Sequence, residues 1–404
     1  MASVSSPEPA LRRLWADVLR VAAVGPSDDF FDLGGDSILL LQMLSGAREL
    51  GVDLDPGRIG EFLEESTCTR LLELTGNDRA PDGGRSPGVP DADITAITLR
   101  PGDGADAVFV LLPTMHDLWA VRELSAQIEE ASLRVLVPAW SPARPYRSLP
   151  ELGAAMAATI TAVQPDGPYR IVGSCAAGQA AVEAASRLAA SGRAVDLLAL
   201  VDTQPPRPRT ALQPLHRLLA IRPGSWGVPP ALFAKLLWLD LLRASGPPDP
   251  DALMRHLWTA VRAHVGELLR FIVEVEPERW TDGYRERAVT IFMTWLNYQL
   301  ASEAYERPSP YAGRVTMVYG ERPDEGCAPP AEAAAAWARL TGCAYDLETF
   351  DQDHTSAIMS NPVVVGVMRR ALGRRAPATR SSVPRCAPAA GAGSPPPDRG
   401  ARGG

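Results

Sequence analysis

The sequence predicts two folded units in series: a small all-α module of four helices, then a larger α/β domain whose sheet carries a helical insertion. Three observations predict this. Apolar residues recur at helical spacing through residues 8–75. After a polar stretch, short apolar runs alternate with helical stretches, the βα rhythm of a mostly parallel sheet. Between about Pro205 and Gly313 that rhythm stops and amphipathic helical patterns replace it.

In the first unit, Leu11, Leu14, Trp15, Val18, Leu19 and Ala22 fall on one helical face. A second helix covers Ile38–Leu50 and opens at Ser37. Shorter helices cover Gly57–Glu64 and Thr67–Leu74. Residues 76–93, GNDRAPDGGRSPGVPDAD, have almost no apolar content and read as a linker. The second unit, residues 94–373, contains strand candidates at Ile94–Leu99, Val108–Leu112, Arg134–Val137, Tyr169–Val172, Leu197–Val201, Arg314–Val318 and Ala344–Phe350. Ala154–Val163 and Gln179–Ala190 read as helices between them. In the insertion, about 205–313, Leu257, Val261, Val265, Leu268 and Ile272 mark one amphipathic helix. Five of the nine tryptophans lie there (Trp226, Trp238, Trp258, Trp280 and Trp295), as packing residues or as the lining of an apolar channel under a lid. Residues 374–404 are low-complexity and read as a disordered tail, which gives Cys386 no catalytic role.

The net charge of −8 argues against nucleic acid or an anionic membrane as partner. Between Glu8 and Leu74 there are thirteen acidic against six basic residues. A docking face accounts for this surplus, and so does a merely solvated surface. The five cysteines form no CxxC pair and no metal-ligand spacing, which suggests a reducing compartment. The N-terminus lacks a basic start with an apolar core, and no apolar run approaches the roughly 20 residues that span a bilayer. The expected location is the cytoplasm.

Residues 171–180, IVGSCAAGQA, carry the chemistry. A nucleophile elbow, G-x-S-x-G, sets its reactive residue on a tight turn between strand and helix, with small flanks so the backbones can crowd. Centred on Cys175, the frame has Gly173 two before and Ala177 two after, with Gly178 next. Centred on Ser174, the flanks become Val172 and Ala176. The frame selects Cys175, although Ala177 departs from it. The helix N-terminus that follows favours an anion there. A buried, inert cysteine is the alternative.

The partners of such a nucleophile follow in the order acid, then base. Asp202 ends the apolar run LLALVD, and strand ends face the crevice of such sheets. Asp324, in GERPDEG, is the rival acid. His354, in DQDHTSAIM, follows the last strand and is the expected base; Asp351 and Asp353 beside it read as entrance-loop residues. His216, His256 and His264 lie in the insertion, and His116 lies after the second strand. The oxyanion hole is expected from the backbone N–H of Ala176 and one from the loop LLPTMHDLW, at Thr114 or Met115. His116 and Asp117 touch substrate or are solvated.

The first unit contains DDFFDLGGDSILLLQM, in which Ser37 opens a helix where a phosphodiester finds N–H donors. Alone, such a Ser is an ordinary N-cap. The phrase Asp32-Leu33-Gly34-Gly35-Asp36-Ser37, in a short acidic helical module, resembles the peptidyl carrier domains of nonribosomal peptide synthetases. The second unit resembles the type I thioesterase domains that end such assembly lines, with an α/β-hydrolase fold and a helical lid. The resemblance implies that Ser37 carries 4′-phosphopantetheine, attached by a phosphopantetheinyl transferase, and that the acidic surface docks the transferase and upstream synthetase domains. It implies a Cys175–His354–Asp202 triad that takes a peptidyl substrate from the arm. In this family the acid often follows the strand next after the elbow strand; Asp202, 27 residues beyond Cys175, matches, which decides against Asp324. The nucleophile departs from the family's usual Ser. Cysteine-type relatives include formers of four-membered rings, among them the β-lactam of monobactams. The expected product is therefore a β-lactam, against a β-lactone, macrolactam or macrolactone, or hydrolysis to a linear peptide. Outside this class stand a free-standing esterase with an unrelated helical appendage and a non-catalytic docking pair.

Overall fold

The structure, a computed structural model, describes residues 7–35, 37–54, 58–76, 94–100, 107–114, 118–128, 131–138, 140–206, 249–272, 282–305, 307–323, 327–351 and 361–373. All of them belong to one compact unit ending at Gly373. The residues read as tail (374–404), those read as linker (76–93) apart from Gly76, and the insertion over 207–248 lie outside the described residues.

The N-terminal segment holds α1 (Glu8–Leu19), α2 (Ser37–Glu49), α3 (Ile59–Glu64) and α4 (Cys68–Gly76). Leu11, Trp15 and Leu19 of α1 are fully buried with Leu39 and Met43 of α2, Phe62 of α3 and Leu71 of α4. Trp15 meets Phe30 and Phe62 edge-to-face at 5.1 and 6.2 Å. The apolar stripe continues in the sequence to Ala22, but α1 stops at Leu19, because Arg20 takes a left-handed conformation whose N–H bonds the Ala16 carbonyl. Cys68 is buried, and desolvation pushes its thiol up to about 12, which marks a packing residue.

Seven strands follow: β1 (Ile94–Arg100), β2 (Val108–Leu111), β3 (Leu133–Pro138), β4 (Tyr169–Ser174), β5 (Val195–Val201), β6 (Arg314–Gly320) and β7 (Ala344–Phe350). They form one sheet in the order β1-β3-β2-β4-β5-β6-β7, with β4 central. All neighbours are parallel except β1 against β3. Helices between them are α5 (Leu118–Gln127), α6 (Leu149–Val163), α7 (Ala176–Ala190), α8 (Pro250–Ile272), α9 (Asp282–Ala304), α10 (Pro330–Thr341) and α11 (Pro362–Gly373). Residues of α5 and α11 cover one face of the sheet; those of α6, α7 and α10 cover the other. With both faces covered, β2 and β4 are buried along their whole length; β2 reads as a continuous apolar run, and β4 as one interrupted by the buried Arg170.

Several boundaries differ from the expected ones. Helix α6 begins at Leu149 rather than Ala154, because Ser148 and Glu151 form a capping box. Strand β4 runs on through Gly173 and Ser174, and α7 starts at Ala176, so a single residue separates them. Helices α5 and α10 were not expected from periodicity; α10 is alanine-rich and buries only Ala333, Ala334, Trp337 and Thr341. In the insertion, Leu257, Val261 and Val265 are buried on α8 as the pattern predicts.

Candidate active site

The single residue between β4 and α7 is Cys175. Its backbone stands at φ 49 and ψ −130, a conformation an L-residue adopts only where its surroundings impose it. Ser174, by contrast, is the last residue of the strand and is buried. The causes of the bend are local. The Cys175 N–H bonds the Val201 carbonyl at 2.9 Å, and Gly178 N–H bonds the Cys175 carbonyl at 3.1 Å. A Cβ on Gly173 would press on Ala181 and on the Gly178 backbone at 2.6 Å each. A Cβ on Gly178 would overlap the Thr203 side chain outright. The second close approach of the frame is thus made at Gly178, which explains why Ala177 is accepted one position earlier. Cys175 is partly exposed, whereas Cys68 and Cys343 are buried.

Asp202 stands at the same sheet end. Strands β4 and β5 pair Ser174 with Val201, so Cys175 and Asp202 leave adjacent strands at the same level. Asp202 also has positive φ, 46, and its N–H bonds the Val318 carbonyl of β6 at 2.8 Å. Sequence reasoning missed the clamp behind it. The Thr203 carbonyl accepts bonds from Tyr319 Oη and from Trp337 Nε1, the latter at 2.9 Å. Gln204 accepts at its carbonyl from Gln179 Nε2 of α7 and at its side chain from the Ala328 N–H, both at 3.0 Å. Burial first, then the charge of Asp202, keep the Tyr319 phenol protonated and able to donate. No periodic signal in the sequence joins residues so far apart.

Strand β2 pairs Leu111 with Gly173, so the chain after Leu111 leaves the sheet beside the bend. Thr114 is fully buried there. Ala176, as the first residue of α7, has an N–H with no intrahelical acceptor. Met115, His116, Asp117, Asp324, Asp353 and His354 lie outside the described residues. Asp351 is exposed and pairs with Arg322 at 3.3 Å. Helix α9 contributes Tyr298, fully buried, whose hydroxyl has no hydrogen-bond partner among the described residues. Burial holds its phenol well above the usual range; nearby Arg147 opposes the shift, and a charge on Cys175 adds to it.

Comparison with known families settles the assignment of this domain. The profile of the thioesterase domain matches residues 120–371, more than half of the chain. The chain belongs to the thioesterase-domain family. A second profile, the phosphopantetheine attachment site, matches residues 9–73. The chain is 31% identical over 190 residues to enterobactin synthase component F of Escherichia coli strain K12, covering 44% of this chain and 13% of that protein. It is 28% identical over 202 residues to the inactive atromentin synthetase invA6 of Paxillus involutus, covering 49% and 21%. The chain thus spans only 21% and 13% of these relatives' lengths. Among solved structures, the holo four-domain nonribosomal peptide synthetase AB3403, bound to AMP and glycine, aligns over 93% of this chain and 27% of its own, with 22% identity and a TM-score of 0.47.

The attachment-site domain carries covalently bound 4′-phosphopantetheine. The local fold suits that group. Asp29 Oδ1 accepts from the Phe31 and Asp32 N–H groups at 2.8 and 3.2 Å, and Gly35 has no room for a Cβ against Phe30. The turn closes at Gly35, and α2 begins at Ser37.

In the thioesterase domain the insertion is tied to the core by named polar contacts. Trp140 N–H bonds Thr294 Oγ1 at 3.0 Å, and Asn297 exchanges bonds with the backbone of Arg147 at 2.8 and 3.1 Å. Behind α9, the buried Glu183 of α7 accepts from the Tyr305 hydroxyl and from Ser309 N and Oγ, the latter two at 2.8 and 2.7 Å. Glu183→Ala would leave the buried Tyr305 hydroxyl and two half-buried Ser309 donors without their acceptor and is expected to cost about 2 kcal/mol, read as a lowered urea midpoint with an unchanged slope. Among the described residues no cluster could hold a metal ion, and no helix is long and apolar enough to cross a membrane.

Proposed function

We propose that this chain is the terminal release module of a nonribosomal peptide synthetase, in which the acyl group borne by Ser37 passes to Cys175 and leaves by intramolecular closure. The observation that carries the reading is the strained backbone of Cys175 between β4 and α7, with its N–H on Val201 and Asp202 one strand over. The whole segment 94–373 acts as the thioesterase, the residues around 205–313 as its lid, and 8–75 as the carrier.

4′-Phosphopantetheine held on Ser37 would supply the peptide as a thioester. Cys175 Sγ, relieved of its proton by His354, forms a bond to the acyl carbon. The N–H groups of Ala176 and of Thr114 or Met115 hold the oxygen as it becomes an anion. His354 returns the proton to the departing sulfur and then accepts one from the second nucleophile, while Asp202 steadies the imidazolium. A serine would exchange the thioester for an oxoester and discard activation. Cysteine keeps a thioester, with a better leaving group, which is most useful when the second attack is difficult. A weak amide nucleophile closing a strained small ring is such a case, and a β-lactam is the favoured product. The expected partners are upstream synthetase domains and a phosphopantetheinyl transferase, in a cytoplasmic setting.

The test is to supply the chain with coenzyme A, a transferase and a candidate peptidyl-pantetheine, then weigh protein and product. The expected results are a pantetheine mass gain lost in Ser37→Ala, a transient acyl adduct on Cys175, and a product lighter than the free acid by one water. A linear acid as sole product would reject cyclisation. Failure of Ser37 to gain mass would favour a free-standing esterase.

A further inference from the structure

The helix α3 lies directly on the edge strand of the thioesterase sheet. At their closest, Gly60 has no room for a side chain: a Cβ there would overlap the Leu99 Cα and the carbonyl oxygens of Thr98 and Leu99. On either side of this point Ile59, Phe62 and Leu63 of α3 share a buried cluster with Ile97 and Leu99 of β1. Glu64 reaches Arg100 at 3.8 Å, and Arg100 in turn donates to the Ser125 carbonyl at 2.9 Å. A second contact joins α2, which begins at Ser37, to α9 of the insertion.

Gly60 is the second residue of a six-residue helix and does not need positive φ. Glycine in a helix interior costs about 0.5–1 kcal/mol relative to alanine. The carrier segment alone would therefore be better served by alanine at this position. What glycine provides is backbone-to-backbone approach between two segments that the chain otherwise joins only through residues 77–93. β1 is also one of the sheet's two outer strands, paired among the described residues only with β3, and an edge of this kind is ordinarily covered.

We propose that Gly60 and the Thr98–Leu99 backbone form a docking seam that seats the Ser37-bearing segment on the thioesterase domain for acyl delivery. The functional half of this proposal rests on the release-module reading; the seam itself does not. The seam makes delivery an event of a docked pair and raises the effective concentration of the acyl group at the crevice. It also makes α3 unavailable to any other domain while seated, so visits to upstream domains require α3 to leave β1.

The test compares the full chain with its Gly60→Ala and Gly60→Leu variants in three measurements: hydrogen exchange of the β1 amides, acyl transfer from the loaded Ser37 arm to Cys175 by intact mass, and transfer from a soluble acyl-pantetheine thioester. Gly60→Leu is expected to speed exchange at Thr98–Arg100 and to slow transfer from the arm by about tenfold or more, with transfer from the soluble thioester and Ser37 loading unchanged. Gly60→Ala is expected to fall between. Unchanged exchange and unchanged transfer from the arm would overturn the seam. So would a parallel loss of both transfers, which marks ordinary packing rather than docking. Should wild-type chain acquire no acyl group on Cys175, the release reading fails, and exchange alone still decides whether α3 seats on β1.

Discussion

Cys175→Ala is expected to abolish both the acyl adduct and product release, lowering turnover by at least roughly 10³-fold, while Ser174→Ala keeps most of the activity. The two neighbours differ in backbone. Cys175 holds the bend at φ 49, partly exposed; Ser174 is strand, buried against the sheet. The partly exposed side chain at Cys175 is therefore the one expected to meet the acyl carbonyl. Intact-protein mass spectrometry after loading separates the cases, because an acyl group trapped on Ser174 would reverse the assignment. Cys175→Ser carries a further expectation. It keeps a nucleophile at the bend but turns the intermediate into an oxoester, so the product should shift from the ring towards the linear acid. An unchanged ring yield would remove the thermodynamic case for sulfur.

Asp202→Asn is expected to lower turnover by about 10⁴-fold without unfolding the domain, the magnitude seen when a triad carboxylate becomes an amide. Its backbone is held independently of its side chain, by the Asp202 N–H on Val318 and by the clamp on Thr203. Loss of the charge therefore leaves the loop in place and removes only the partner of the imidazolium. Asp324→Asn serves as the control and should keep near-parent rates. Measured as single-turnover release from the loaded arm, the reverse ranking would transfer the acid role to Asp324.

Much of this was legible from residue order. All seven strands were placed to within about two residues, because their β-branched apolar runs are short and bounded by polar or turn-forming residues. The elbow frame selected Cys175 because tight backbone crossings demand small residues at set offsets, and offsets are a property of the chain. The strand-end position of Asp202 followed from the apolar run LLALVD that it ends, and its choice over Asp324 came from the family resemblance. Helix α10 escaped because its alanines carry little periodic contrast, and the start of α6 escaped because a capping box, not an apolar residue, sets it.

Residue order alone sets the succession of elements, the acidic helical module before the sheet domain, and which residue occupies the strand-to-helix bend. Local sterics and apolar spacing decide such things, and both act between near neighbours. Only the tertiary structure decided that Gly178 rather than residue 177 makes room for Thr203, that Tyr319 and Trp337 hold the loop behind Asp202, and that Gly60 lets α3 rest on β1. These are contacts between segments as much as 134 residues apart. They depend on which backbones the sheet order brings together, and no spacing along the chain encodes that.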